Sequence, residues 1–217
     1  MNEKINIATK ALSANDQIAA QNKDFFKSKH VLVLNMISSP GSGKTSLLEA
    51  MAYQYGSSLA VITGDIQMTY DADRIRKAGS AAVQIETHGT CHLTASMVQQ
   101  KIQELTWDKT RILVIENVGN LVCPSGYQLG EDLKIGLLSV TEGSEKPMKY
   151  PSLFTRAQAL VITKIDLLPY VDFNLDQVQS DCHKLNTHLQ LFQISTKTHQ
   201  GLEAWFDFLN SHFLLGI

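Results

Sequence analysis

From residue 30 onward, short apolar runs alternate with amphipathic stretches. Residues 30–37, 58–63, 81–85, 111–115, 133–140, 159–163 and 189–194 are dense in Val, Ile and Leu and read as strands. Between them, 93–105, 175–189 and 202–213 carry apolar residues at helical spacing. This order predicts an α/β fold with a mostly parallel central sheet and helices on both faces. Ligands of such sheets bind beyond the carboxyl ends of the strands, so the chemistry is expected there. Ahead of the first strand, a helical pattern places Ile18, Ala19, Phe25 and Phe26 on one face, with Asn15 expected as its N-cap. The chain therefore divides into an N-terminal helical segment, 1–29, docked on a main domain, 30–217. Internal repeats and low-complexity segments are absent from the sequence.

Composition narrows the function classes. The 217 residues suit one domain, and 44% hydrophobic content supplies a single core. A formal net charge of −2 without a basic run gives no nucleic-acid surface. No apolar stretch is long enough to span a membrane, and the first residues carry no apolar signal-peptide core. Three scattered cysteines make no disulfide framework, so a cytoplasmic protein with reduced thiols is expected.

The chemistry begins at Ser38-Ser39-Pro40-Gly41-Ser42-Gly43-Lys44-Thr45, which joins the first strand to a helix. Strand, glycine-rich turn and helix in this order build a phosphate-binding P-loop. The N–H groups of Gly41, Ser42, Gly43, Lys44, Thr45 and Ser46 would cradle phosphates at the helix N-terminus. Lys44 would neutralise the β- and γ-phosphates, and the Thr45 hydroxyl would ligate Mg²⁺. The usual pattern starts with glycine where this chain has Ser38, which requires a backbone conformation that a Cβ tolerates.

The base is read further along. Asp166, in Thr163-Lys164-Ile165-Asp166, offers a carboxylate to the N1–H and 2-amino groups of guanine, and Lys164 lays its alkyl stem along the base. Adenine offers neither donor, so GTP and GDP are expected rather than ATP. Ser195-Thr196-Lys197, after the last strand, is similar to the loop that contacts guanine O6 in GTPases. Glu116 ends a strand three residues before Gly119, an arrangement suited to sensing Mg²⁺ and the γ-phosphate. Asp65 is a second carboxylate candidate for Mg²⁺ or the attacking water. Without a glutamine placed to orient that water, hydrolysis is expected to be slow. Arg74, Arg76 and Arg156 are candidates for stabilising transition-state charge.

Cys91, His92 and Cys123 form a soft donor set that suits Zn²⁺ or Ni²⁺. Cys91 and His92 are expected to open a helix, whose N-terminus would depress the thiol pKa. A fourth ligand would come from water, another residue or a second subunit.

Together the motifs resemble the hydrogenase nickel-incorporation GTPase family, HypB. The resemblance lies in 12–19 (LSANDQIA), 38–45 (SSPGSGKT), Cys91-His92-Leu93, 115–124 (IENVGNLVCP), 138–151 (LSVTEGSEKPMKYP) and 164–170 (KIDLLPY). It implies a P-loop NTPase of the SIMIBI class that dimerises around nucleotide, with Cys91, His92 and Cys123 holding metal at the interface. It makes Lys146 and Lys149 candidates for contacts to nucleotide or across the dimer. It also implies a small zinc-containing partner, HypA, and delivery of nickel to the precursor of the [NiFe] hydrogenase large subunit. The chain departs from the family at Ser96, where members often carry a histidine that His88 would have to replace. No Cys- or His-rich stretch precedes residue 12, so nickel storage there is not expected. Two other readings are a sister GTPase serving urease, marked by Cys-Pro-His where this chain has Cys123-Pro124-Ser125, and a non-enzymatic metal-binding dimer with structural nucleotide.

Overall fold

The computed structural model describes the backbone of residues 2–65, 70–87 and 89–214, and the side chains of 12–64, 70–87 and 89–213. His88 and the Asp65 side chain therefore lie outside the described residues.

Helix α1 (Asn2–Ser28) leads into β1 (Leu32–Ser38), the P-loop and α2 (Lys44–Tyr55). Then come β2 (Leu59–Asp65), α3 (Tyr70–Lys77), β3 (Ala81–Glu86), α4 (Ala95–Lys101), β4 (Ile112–Glu116) and β5 (Leu133–Ser139). Short helices α5 (Lys146–Lys149) and α6 (Pro151–Arg156) precede β6 (Ala159–Thr163), α7 (Leu175–Leu185), β7 (Gln190–Gln193) and α8 (Leu202–Leu214). Among the described residues, the strands form one sheet in the order β3-β2-β4-β1-β5-β6-β7. Every pairing in it is parallel. The expected α/β architecture holds, with strand ends within a few residues of the sequence reading.

Parallel strands need crossovers, and the crossovers bury both faces. Alternation along β1 makes this visible. Leu32, Leu34 and Met36 pack with Leu47, Leu48 and Met51 of α2 and Trp205 and Leu209 of α8. On the opposite face Val33 joins Phe26 of α1 and Val98 of α4. Ile37 joins Leu153 and Phe154 of α6 and Val178 of α7. Asn35 lies on this second face, fully buried between the two clusters.

Helix α1 corrects one expectation. Asn15 is not an N-cap but lies inside a helix that starts upstream, because no Gly or Pro interrupts Asn2–Ser28. Its side chain serves other elements: Oδ1 accepts from Ala95 N at 2.9 Å and Nδ2 donates to Gln128 O at 2.8 Å. Asn22 Nδ2 likewise donates to Ala95 O at 2.9 Å and to Leu129 O at 3.1 Å. The Phe25 and Phe26 rings lie edge-on or tilted against Trp107 at 5.4 and 5.9 Å. Apolar packing docks the helix, and the two asparagines set its register on the loops it covers.

Candidate functional site

Beyond the carboxyl ends of β1, β2 and β4 lies a cleft of 510 Å³ lined by Gly41, Gly43, Lys44, Thr45, Ser46, Gly64, Glu116, Gly119 and Lys164, among others. The glycine-rich turn explains its shape. Gly43 has φ +95°, a conformation that costs a Cβ-bearing residue strain, and directly precedes the first turn of α2. Ser38 ends β1 outside the left-handed region, so its Cβ fits and the loop tolerates the departure from glycine. Its Oγ accepts from Ser42 Oγ at 2.5 Å and from Lys44 Nζ at 2.8 Å. Ser42 thus sits under the loop as a brace, and Ser38 gives the Lys44 ammonium a resting partner beside the cleft.

The base-side residues meet this loop from β6 and β7. Thr163 Oγ1 donates to Ser42 O at 2.5 Å, and Lys164 Nζ to Gly41 O at 2.7 Å. Ser195 Oγ donates to Asp166 Oδ1 at 2.6 Å and accepts from Thr198 N at 3.1 Å. Ile165 N donates to Ile194 O at 3.2 Å, which fixes the two motif loops side by side. Thr196 is half-buried and Lys197 exposed on the same turn. Of the base-side residues, Lys164 lines the cleft, and Asp166, two residues further on, is bonded to Ser195.

On the other flank, Glu116 is buried at the end of β4 and Gly119 packs against the P-loop. A Cβ on Gly119 would stand 3.0 Å from Pro40 Cγ and 3.2 Å from Pro40 N, so a larger residue would have to push the P-loop back slightly. The backbone of Asp65 ends β2 on the same side of the sheet. Among the three candidate arginines, the cleft selects Arg74, which lines it beside Asp71 and is held by Glu49 of α2. That close carboxylate keeps the Arg74 pKa above its ordinary value. Arg76, bonded to Ala82 O and Asp73, and Arg156, bonded to Ser152 and Ser125 O, do not line this cleft.

The soft donors lie on two adjacent loops. Cys91 Sγ is 3.4 Å from His92 Nδ1 and neighbours Cys123, at the start of a 3₁₀ turn, Cys123–Gly126. The His92 ring stacks on Tyr127 with centroids 3.9 Å apart, and burial lowers its pKa, which favours the neutral, ligating form. Two expectations fail here. Cys91 and His92 do not open a helix, because Thr94 caps α4 and the helix begins at Ala95. The Cys91 thiol pKa is raised rather than depressed, chiefly by its hydrogen bond with Cys123. Among the described residues, no three Cys, His, Asp or Glu side chains close around a cation within one chain. Cys91, His92 and Cys123 make an open donor set.

A larger hollow, of 750 Å³, opens at the amino ends of the strands, lined by Lys23, Lys27, Lys29, His30 and Arg111. It lacks a glycine-rich turn, and Lys27 there complements the carboxyl end of α1.

Comparison with known proteins agrees with the cleft. Residues 32–193 match the family model described as CobW/HypB/UreG, nucleotide-binding domain. The hydrogenase maturation factor HypB of Rhizobium leguminosarum bv. viciae is 44% identical over 207 residues, covering 94% of this chain and 69% of that protein. The hydrogenase/urease maturation factor HypB of Helicobacter pylori is 44% identical over 209 residues, covering 94% of this chain and 86% of that one. The crystal structure of Helicobacter pylori HypB in complex with nickel superposes with a TM-score of 0.88 at 43% identity, covering 92% of this chain and 95% of that one. The chain belongs to the HypB family.

In this HypB-family chain, Ser125 follows Cys123-Pro124 and is buried, donating to Val122 O at 2.7 Å and pairing with Ser152 Oγ at 2.7 Å. Lys146 Nζ lies 3.7 Å from Glu142 Oε2 and over the Tyr150 ring, which Lys149 also covers. Asn35, Asn117, Glu131 and Lys134 escaped the sequence reading. Asn117 lines the cleft, and the others are buried close behind it. The available signal was a polar residue inside an apolar strand: Asn35 in LVLNMIS and Lys134 in LKIGLLS.

Proposed function

We propose that this chain is a GTP-hydrolysing metallochaperone that carries nickel, or zinc, on Cys91, His92 and Cys123 and assists nickel insertion into the [NiFe] hydrogenase large-subunit precursor. The observation that carries the reading is the placement of the Cys91–Cys123 loops directly beyond the switch strand: Glu116 and Gly119 border the phosphate cleft, and Cys123 follows within the same connection. The nickel complex of the Helicobacter pylori relative supports nickel as cargo.

In this reading, Lys44 leaves Ser38 for the β- and γ-phosphates, and Asp166 accepts two guanine donors while Ser195 orients it. Gly119 offers its N–H to the γ-phosphate, and loss of that phosphate releases the segment leading to Cys123. Mg²⁺ fits the hard oxygen donors gathered there: Thr45 and Glu116 share the cleft, and Asp65 is assigned with them. Bound there, it would neutralise charge on the β- and γ-phosphates. A homodimer, formed around nucleotide, supplies the ligands that one chain lacks. Lys146 and Lys149, on the short helix α5 with the exposed Met148, are assigned to that interface. A HypA-like zinc protein and the hydrogenase precursor are the assigned partners, and the reaction is assigned to the cytoplasm. No described helix is long and apolar enough to cross a membrane.

The name of the Helicobacter pylori relative favours a second destination, urease, for the same cargo. Maturation assays with each apo-enzyme separate the two destinations. The primary test is Ni²⁺ and Zn²⁺ affinity with GDP and with a non-hydrolysable GTP analogue. A nucleotide-dependent affinity that Cys123→Ala abolishes supports the switch. Equal affinities in both states would leave a nucleotide-held metal clamp instead.

A further inference from the structure

A chain of hydrogen bonds and one buried ion pair joins both metal-donor loops to the nucleotide switch, with Asn117 at its centre. Asn117 follows Glu116 directly, is almost fully buried and lines the cleft. Its Oδ1 accepts two backbone N–H groups, Val118 within the switch segment and Leu93 immediately after His92, each at 3.0 Å. Its Nδ2 donates to Asn35 Oδ1 at 3.2 Å, and Asn35 Nδ2 donates to Glu131 Oε1 at 3.1 Å. Lys134 Nζ lies 3.5 Å from that carboxylate oxygen and donates to Ser125 O at 2.9 Å and Tyr127 O at 3.2 Å. The chain therefore ends on one side beside His92, and on the other two residues beyond Cys123 and at the Tyr127 that stacks on His92.

We propose that Asn117 is the positioning residue that couples nucleotide state to the geometry of Cys91, His92 and Cys123. This rests on the GTP-driven switch proposed above and names how the switch reaches the donors. The four side chains of the chain, Asn117, Asn35, Glu131 and Lys134, are all buried. A buried polar group left unpaired bears its desolvation cost with nothing to offset it. When the γ-phosphate draws Val118 and Gly119, Asn117 cannot follow Val118 and keep Leu93 without moving the Cys91 loop. Nor can it rotate without disturbing Asn35, Glu131 and Lys134. The two arms share one amide, so the donor loops shift together.

The test is the ratio of Ni²⁺ dissociation constants of the full-length chain under saturating GDP and saturating GTP analogue, by isothermal titration. Saturation keeps altered nucleotide affinity out of the ratio. A wild-type ratio of tenfold or more, corresponding to about 1.4 kcal/mol of coupling, should fall to within about twofold of unity in Asn117→Ala. A merely structural role would weaken Ni²⁺ binding equally in both states and leave the ratio intact. That outcome overturns the proposal while sparing the switch. If Asn117→Ala fails to fold, the paired variant Glu131→Gln/Lys134→Met removes the ion pair and the Cys123-side arm. Its ratio should fall at least threefold, and an unchanged ratio likewise overturns the proposal. A wild-type ratio near unity would sink the switch itself and this inference with it.

Discussion

Ser195 donates its hydroxyl to Asp166 Oδ1 at 2.6 Å, although the two residues stand 29 positions apart in sequence. The bond fixes the carboxylate plane before any base arrives, so less orientation is lost on binding. Asp166→Asn replaces an acceptor with a donor that suits the 2-keto group of xanthine. GDP affinity should fall on the order of 100-fold and that for xanthosine diphosphate rise comparably. Ser195→Ala should cost GDP binding about fivefold, as expected from a single bond worth ~1 kcal/mol. Fluorescence competition with both nucleotides checks each value, and unchanged GDP binding in Asp166→Asn would remove guanine recognition from this carboxylate.

The clamp from α1 should be measurable in stability. Asn22→Ala leaves Ala95 O and Leu129 O without their side-chain donor, and Asn15→Ala frees Ala95 N and Gln128 O. Each substitution should lower the unfolding free energy by about 1–3 kcal/mol, read from urea midpoints at constant m-value. A loss below a few tenths would mean that apolar docking of Phe25 and Phe26 suffices.

The thiols should divide in reactivity. Cys91 is exposed and Cys123 partly so, whereas Cys182 lies in the core with its pKa pushed up to about 12 by burial and then by Asp181. An aromatic disulfide reagent at pH 8 should label Cys91 and Cys123 in the native chain and Cys182 only after unfolding. Ni²⁺ should protect the first two. Rapid native labelling of Cys182 would contradict the packing of α7.

Alkaline titration should reveal Tyr55. Its hydroxyl joins α2 to α8 through Asn210 Oδ1 at 3.2 Å, and burial, then Asp207, raises its pKa from 10.0 to about 12. The unfolded phenol ionises first, so between pH 10 and about 12 the unfolded state binds fewer protons and stability falls as pH rises. Tyr55→Phe should flatten that part of the pH–stability curve. An unchanged curve would show that Tyr55 ionises alike in both states.

The sheet was legible because its inner strands β1, β4, β5 and β6 are compact runs buried on both faces, which have no reason to alternate. Gly43-Lys44-Thr45 and Lys164 were singled out by their spacing, and the structure brings them to one cleft. Asn15 misled, since a polar residue ahead of an apolar stripe resembles a cap, and its partners at Ala95 and Gln128 are remote in sequence. The thiol environment was not legible either. The raised pKa of Cys91 comes mainly from Cys123, and that encounter depends on the tertiary placement of two loops. Asn117 was hidden for the same reason: its bonds to Leu93 and Asn35 span 24 and 82 positions.

The distribution of the nucleotide site along the chain bears on its synthesis. The residues proposed to hold phosphate lie between Gly41 and Ser46, whereas the proposed guanine readers, Asp166 and Ser195, lie far downstream. One of the two edge strands, β7, precedes the turn that carries Ser195 and pairs with β6. A nascent chain lacking β7 would have a phosphate cradle and no complete means to tell guanine from other bases. If Asp166 and Ser195 read guanine as proposed, selective guanine binding would report that β7 is paired in the sheet.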